Sequence, residues 1–95
     1  MTVTLEQIEK ELNIPKDELI RKGVHRYLEF ELRYLKTEIS KIHIKYGVHS
    51  FNNLWNKIEE GKITESKCFD DLTKLEYLEA RAEKVESLLR EYPSP

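Results

Sequence analysis

The sequence has little of the residues that cross-link or break a helical chain: one cysteine, three glycines and three prolines among 95 residues. A single thiol, Cys68, excludes an intramolecular disulfide and a CxxC metal site, which favours a reducing compartment. Its simplest interpretation is a small buried hydrophobe beside Phe69. No apolar run exceeds three residues, whereas a membrane helix needs ~20. Because the first residues also lack the pattern of a signal peptide, we expect a cytoplasmic protein with no membrane segment.

Motifs of catalysis and ligand binding are missing too. The sequence has no GxGxxG, P-loop, HExxH or GxSxG pattern. His43 and His49 flank Gly47 and can approach each other, but a metal site needs a third ligand that the spacing does not supply. We therefore expect no enzyme, no cofactor and no metal site.

Charge is abundant, at 36% of the residues, with a net charge of −2. The segment from residue 20 to residue 46 holds seven Lys or Arg against three Glu, while the carboxy-terminal part is rich in glutamate. The cations at helical spacing form what we call the basic face: Lys22, Arg26, Arg33 and Lys36. Such a face is typical of a solvated surface paired with an acidic helix, or of a contact with nucleic-acid phosphates.

Capping signals and apolar spacing predict an all-α protein with four helices. A capping box from Thr4 to Gln7 begins a short helix at Leu5, which ends at Asn13-Ile14-Pro15. A long helix begins after Pro15 and runs without a stop signal to Gly47. Ser50 begins a short connector helix that ends at Gly61; its apolar face consists of Phe51, Leu54, Trp55 and Ile58.

The last helix is predicted to begin at Asp70 or Asp71, after a polar linker from Lys62 to Lys67, and to end before Pro93 and Pro95. Both long helices carry a stripe of six apolar residues at alternating spacings of three and four. The stripe of the central helix consists of Leu28, Leu32, Leu35, Ile39, Ile42 and Tyr46. The stripe of the last helix consists of Leu75, Leu78, Ala82, Val85, Leu89 and Tyr92. Because the stripes match in length, we expect an antiparallel hairpin with the connector helix across one end.

A second set of apolar residues lies beside the core stripe of the central helix. Tyr27, Phe30 and Tyr34 form this aromatic stripe, which makes the helix apolar over more than the ~100° of a one-sided surface helix. The stripe can be covered by the first helix folding back over it, by a second copy of the protein, or by both. Gly23 lies in the same helix, where it indicates a close helix crossing or a hinge.

The stretch from Leu5 to Glu29, LEQIEKELNIPKDELIRKGVHRYLE, resembles the helical part of ribbon-helix-helix antitoxins from toxin-antitoxin pairs. The matching positions are Asp17 to Arg21, Gly23 and Tyr27 to Glu29. The later part, with Tyr46-Gly47-Val48, Trp55 and Gly61-Lys62-Ile63, also looks like small archaeal and cyanobacterial antitoxin-like proteins. Only Met1 to Thr4 precede the first helix, where that family has a DNA-reading strand, so operator binding is less supported than dimerisation.

The resemblance and the apolar stripes together divide the single helical domain, residues 1–95, into a dimerisation segment, 1–28, and a helical hairpin, 29–92. The predicted interface of a homodimer consists of Leu5, Ile8, Leu12, Ile20, Val24, Tyr27, Leu28, Phe30 and Tyr34. The residues predicted to bind a protein partner are Leu75, Leu78, Val85, Leu89 and Tyr92.

These patterns favour a non-catalytic protein-binding module. The resemblance implies a homodimer that binds and occludes a toxin, with glutamates of the last helix facing the basic surface of an RNA-cleaving partner. One alternative is a DNA-binding regulator that uses Lys22, Arg26, Arg33 and Lys36. Another is a structural helical dimer without a regulated partner.

Overall fold

A computed structural model describes residues 2–92, which form four helices. They are α1 (Leu5–Leu12), α2 (Lys16–Tyr46), α3 (Phe51–Glu59) and α4 (Glu65–Glu91). No strand occurs in the described part of the chain, so the all-α prediction is confirmed. The molecule is elongated, with extents of 62 × 32 × 16 Å. Pro93 and Pro95, the predicted end of the last helix, lie outside the described residues.

Local signals account for α1 and for the turn that follows it. The backbone N–H of Gln7 donates to Oγ1 of Thr4 at 3.1 Å, which is the predicted N-cap. Asn13 adopts the left-handed conformation with φ 55°, which ends the helix. The N–H of Lys16 then donates to Oε2 of Glu9 at 2.6 Å, so α1 is tied to the start of α2. No residue of α1 is buried.

α2 and α4 form the predicted antiparallel hairpin. Near the connector, Nζ of Lys45 lies 2.7 Å from Oδ2 of Asp71, and fourteen residues earlier along α2, Oε2 of Glu31 lies 2.7 Å from Nη2 of Arg81. These two pairs fix the antiparallel direction. Burial of each aliphatic side chain between the helices contributes about 1.5–3 kcal/mol. The buried aliphatic side chains of α2 and α4 are Leu28, Leu35, Ile42, Leu72, Leu75, Leu78, Ala82 and Val85.

α3 lies against the end of the hairpin where α2 finishes. Gly47 has φ 64°, a left-handed conformation that favours glycine and lets the chain leave α2. Ser50 caps α3 by accepting from the N–H of Asn53 at 3.1 Å. Nζ of Lys57 donates to the carbonyl oxygens of Tyr46 and Gly47, both at 3.1 Å, which satisfies orphan acceptors at the end of α2. Leu54 is fully buried and anchors α3 to the core.

The start of α4 differs from the prediction. The helix begins at Glu65 rather than at Asp70 or Asp71, so the last part of the predicted linker is helical. Cys68 supplies the reason, because it is buried and lies four residues before Leu72, in register with the core stripe of α4. The prediction that Cys68 is a small buried hydrophobe is confirmed.

Candidate protein-interaction surfaces

The aromatic stripe of α2 is exposed. Relative to full exposure, Tyr27 retains 56%, Phe30 66% and Tyr34 52% of its accessible surface. α1 does not cover them, so the expectation that the first helix folds back over this stripe is not met in residues 2–92. Three neighbouring aromatic side chains on one helix face form an apolar patch of the kind that marks interaction surfaces.

A hydrogen-bonded network holds one edge of the aromatic stripe in place. The hydroxyl of Tyr27 donates to Oε2 of Glu31 at 3.0 Å, and Nη2 of Arg81 donates to the same oxygen at 2.7 Å. The guanidinium of Arg81, followed by the Tyr27 hydroxyl, lowers the pKa of Glu31. Tyr77 of α4 is also exposed and lines a hollow together with Glu31, Tyr34 and Arg81. The exposed aromatic surface therefore continues from α2 across to Tyr77 of α4.

Gly23 lies inside a continuous stretch of α2, at an exposed position. A Cβ atom built on it would meet nothing within 4 Å, so no helix of the described chain crosses closely there. Its φ is not in the left-handed region. Neither local backbone geometry nor intramolecular packing accounts for a glycine at this position.

The residues predicted for the dimer interface divide into two groups. Leu28 is buried and Val24 packs against the hairpin core, so both face α4 rather than the outside. Leu28 is the first residue of the core stripe of α2, and Val24 extends that stripe by one turn toward the amino terminus. The others are half-buried or exposed and stay a predicted interface: Leu5, Ile8, Leu12, Ile20, Tyr27, Phe30 and Tyr34.

The stripe predicted to bind a partner faces α2 instead. Leu75, Leu78 and Val85 are buried in the hairpin, and Leu89 packs against the same core. Tyr92 is half-buried at the end of the described residues. The same apolar spacing also predicts the hairpin. Because the apolar face of α4 packs against α2, it is not accessible to a partner protein. A partner surface on α4 must lie elsewhere.

A groove between α3 and α4 is such a surface, and the sequence did not indicate it. Its volume is about 430 Å³. Trp55, at 37% exposure, and Phe69 contribute aromatic side chains, and Glu65 and Glu76 contribute carboxylates. Among residues 2–92, neither glutamate takes part in an ion pair, so we call this site the acidic groove. Its full lining is Phe51, Trp55, Glu65, Phe69, Leu72, Thr73 and Glu76.

Three of the four cations of the basic face have a carboxylate nearby. Lys22 lies 3.2 Å from Glu18, and Lys36 lies 4.0 Å from Glu86 of α4. Arg26 is 3.9 Å from Glu29 but keeps 84% of its side chain exposed. Arg33 is exposed. The face is thus partly an intramolecular charge pairing and partly an open basic surface.

Within residues 2–92, no group of three or more His, Cys, Asp and Glu side chains is placed to hold a metal ion. The hydrogen-bond partner of His43 is a carboxylate and not His49: Nε2 of His43 lies 3.2 Å from Oε2 of Glu79. No helix in the described range has the length and apolar character that a membrane crossing requires.

The described chain is thus a small all-α protein built on an antiparallel helical hairpin. The model of the family described as "Uncharacterized protein MJ0235 family" matches residues 1–93, and the chain belongs to that family. It is 37% identical over 75 residues to a protein of Methanocaldococcus jannaschii described as "Uncharacterized protein MJ0235". The aligned part covers 79% of this chain and 92% of that relative. No solved structure matches the chain.

Proposed function

We propose that this chain is a non-catalytic protein-binding module that acts as a homodimer in the cytoplasm and occludes a toxin-like protein partner. The observation that carries the proposal is the exposed aromatic stripe of Tyr27, Phe30 and Tyr34, which no part of the described chain covers. Aromatic side chains bury about 150–250 Å² each and dominate the energetics of interfaces. Soluble monomers rarely expose a cluster of aromatic side chains unless the cluster is a binding surface.

Two separate surfaces support a module that binds both a second copy and a different protein. The aromatic stripe lies on α2, whereas the acidic groove lies between α3 and α4. The groove combines aromatic anchors, Trp55 and Phe69, with the carboxylates of Glu65 and Glu76. Complementary charge steers association and selects the partner. A partner that presents an apolar side chain among lysines or arginines fits this groove.

The antitoxin-like role rests on the same chemistry. An RNA-cleaving toxin needs a basic surface to hold its substrate, and an acidic protein bound there excludes the RNA. The groove takes over the role that the sequence suggests for Leu75, Leu78 and Val85. The chain thus occludes the toxin through the acidic groove rather than through the buried stripe of α4.

Sedimentation velocity of the full chain at tens of micromolar tests the homodimer. We expect a dimer for the unaltered chain and a monomer for Phe30→Asp, because the introduced carboxylate would be buried in the interface without a partner. Phe69→Asp is the matched control, since it changes a similarly exposed phenylalanine in the acidic groove. A monomer for the unaltered chain contradicts the homodimer.

Co-expression with the product of the adjacent open reading frame tests the partner. We expect co-purification, and we expect Glu65→Lys/Glu76→Lys to abolish it. The control Glu11→Lys/Glu83→Lys changes the net charge equally at exposed positions outside the groove. Trp55, the one tryptophan of the chain, reports binding through its fluorescence. A dimer that captures no adjacent gene product supports the structural-dimer alternative instead.

DNA binding is the second candidate, and the exposed side chains of Arg26 and Arg33 favour it. Phosphate contacts by such cations give an affinity that falls steeply with salt. A mobility-shift assay with duplex DNA at low salt separates the candidates. Retention that is lost in Lys22→Ala/Arg26→Ala supports a regulator, and no retention at low salt leaves protein binding as the function.

A further inference from the structure

We infer that the second copy packs against α2 in a parallel orientation along the aromatic stripe, with the closest approach of the two backbones at Gly23. This inference rests on the proposed homodimer and specifies its geometry.

The spacing of exposed residues on α2 supplies the first argument. Ile20, Tyr27 and Tyr34 recur every seven residues, and a second series begins three residues later with Gly23, Phe30 and Thr37. These are the a and d positions of a heptad repeat, the pattern along which two helices supercoil. All six positions are exposed in the described chain. They lie on a different face from the core stripe, so α2 carries two heptad patterns, one filled by α4 and one open.

Charge beside the open pattern sets the orientation. Arg26 and Arg33 occupy the g positions, and Glu31 and Glu38 occupy the e positions. In a parallel pair a g side chain meets the e side chain five residues further along the other helix. Arg26 then meets Glu31 of the second copy, and Arg33 meets Glu38 of the second copy. An antiparallel pair would instead place arginines against arginines and glutamates against glutamates.

The intramolecular contacts of Glu31 leave one carboxylate oxygen for a further donor, whereas both oxygens of Glu38 already lie near Lys41 and Lys74, so that Arg33 of the second copy would join an existing cluster of charges. Both Tyr27 and Arg81 reach Glu31 through Oε2. Oε1 is the acceptor that the parallel arrangement assigns to Arg26 of the second copy. Arg26 has only a 3.9 Å contact with Glu29 in its own chain, and its side chain is 84% exposed, which leaves it available to the second copy.

The presence of a glycine at position 23 independently supports a close approach of two copies of α2. Glycine is disfavoured in a helix interior because it loses more backbone freedom than alanine. The described chain offers no local reason for it, since a Cβ there would meet nothing within 4 Å. At a d position of the open pattern, the missing side chain lets two copies of α2 approach closely. Larger side chains at Ile20 and Tyr27 then pack on either side of the crossing.

Sedimentation equilibrium of the full chain carrying Gly23→Leu tests the crossing. We expect the dimer dissociation constant to rise at least tenfold, while the melting temperature of dilute, monomeric protein does not fall, since leucine favours a helix and has open space in the monomer. Ala80→Leu, at an exposed position of α4 outside the open pattern of α2, should leave the constant unchanged. A Gly23→Leu dimer of unaltered or higher affinity overturns the crossing but leaves the homodimer standing, since leucine at a d position stabilises an ordinary coiled-coil pair. A monomeric unaltered chain overturns both.

Oxidative cross-linking tests the orientation. In Thr37→Cys/Cys68→Ala, a parallel pair brings the two introduced thiols together, and we expect a disulfide-linked dimer under mild oxidation. In an antiparallel pair that crosses at Gly23, position 37 lies opposite residue 9 of the second copy, before α2 begins, and no such dimer forms. Absence of the cross-link in a chain that sediments as a dimer overturns the parallel orientation.

Discussion

Glu79 of α4 joins three helices at one point: its Oε2 accepts from the backbone N–H of Phe51 at 3.0 Å and lies 3.2 Å from Nε2 of His43. Phe51 is the first residue of α3, where the N–H has no partner within the helix. The carboxylate also carries charge of the sign that a helix amino terminus favours. Glu79 therefore fixes how α3 docks against the hairpin and, with it, the geometry of the acidic groove.

Removal of this carboxylate should loosen α3. We expect Glu79→Ala to lower the free energy of unfolding by about 1 kcal/mol, the usual cost of losing a helix cap. Glu83→Ala, one turn further along α4 at an exposed position, should change it by less than about 0.5 kcal/mol. Urea unfolding followed by circular dichroism measures both. Equal effects of the two substitutions would mean that Glu79 does not hold α3.

Acid should weaken the hairpin, because three carboxylates that stabilise it have a lowered pKa. The ammonium of Lys45, followed by the Tyr46 hydroxyl, lowers the pKa of Asp71. Arg81 lowers the pKa of Glu31. Lys41 lowers the pKa of Glu38, and Lys74 makes a smaller contribution. In the unfolded chain these groups take their ordinary values, near 4.5 for Glu and 3.8 for Asp. Folding is therefore favoured by their ionisation, and this stability is present above about pH 5 and is lost as the pH falls through the lowered pKa values.

Asp71→Asn isolates one of these carboxylates. We expect it to lower the urea midpoint at pH 7 and to have a smaller effect at pH 3, which lies below the ordinary Asp pKa of 3.8 and toward the lowered pKa of Asp71. Glu76→Gln is the control, since Glu76 takes part in no ion pair in residues 2–92. Urea midpoints of both proteins are measured from pH 7 down to pH 3. If Asp71→Asn and the unaltered chain lost stability in parallel, ionised Asp71 would not contribute to the pH dependence of stability.

The core of the hairpin should respond to truncation much more than its surface does. Leu75 is fully buried between α2 and α4. Leu75→Ala removes buried methyl groups and leaves a cavity, which costs about 2–5 kcal/mol. Leu88→Ala changes an exposed leucine of the same helix and should cost less than about 1 kcal/mol. Thermal or urea unfolding compares the two, and a similar loss for both would mean that the hairpin is not packed along this stripe.

Much of the fold was predictable because its signals are local or periodic. Thr4, Ser50 and Gly47 act within a few residues of the helix ends that they cap, and the core stripes repeat at helical spacing over almost three heptads. The start of α4 was mispredicted because Glu65 to Lys67 have no apolar periodicity of their own. Only Cys68, taken with Leu72, places them in the helix, and one cysteine in a polar stretch is a weak signal.

The candidate surfaces were predictable only in part. The spacing within α2 places Tyr27, Phe30 and Tyr34 on one helix face, but their exposure was not predictable, because the spacing does not show whether α1 covers that face. The acidic groove instead requires Trp55 of α3 to come beside Phe69 of α4, and no spacing within one element reports a contact between two. The predicted partner stripe is packed inside the hairpin for a related reason: an apolar stripe cannot by itself distinguish a face that meets another helix of the same chain from one that meets another protein.

Cys68 should be almost unreactive in the folded protein. Its thiol is buried, and burial raises its pKa, so both access and the thiolate fraction are reduced. We expect a thiol-specific disulfide reagent at pH 8 to modify it at least ~100-fold more slowly than an exposed cysteine, with a rate that rises in urea as the chain opens. Cys68→Ala/Phe69→Cys is the matched control, because it moves the thiol by one residue to an exposed position. Equal rates for the two proteins in the absence of urea would place Cys68 at the surface, and burial of its side chain could then no longer explain why α4 begins as early as Glu65.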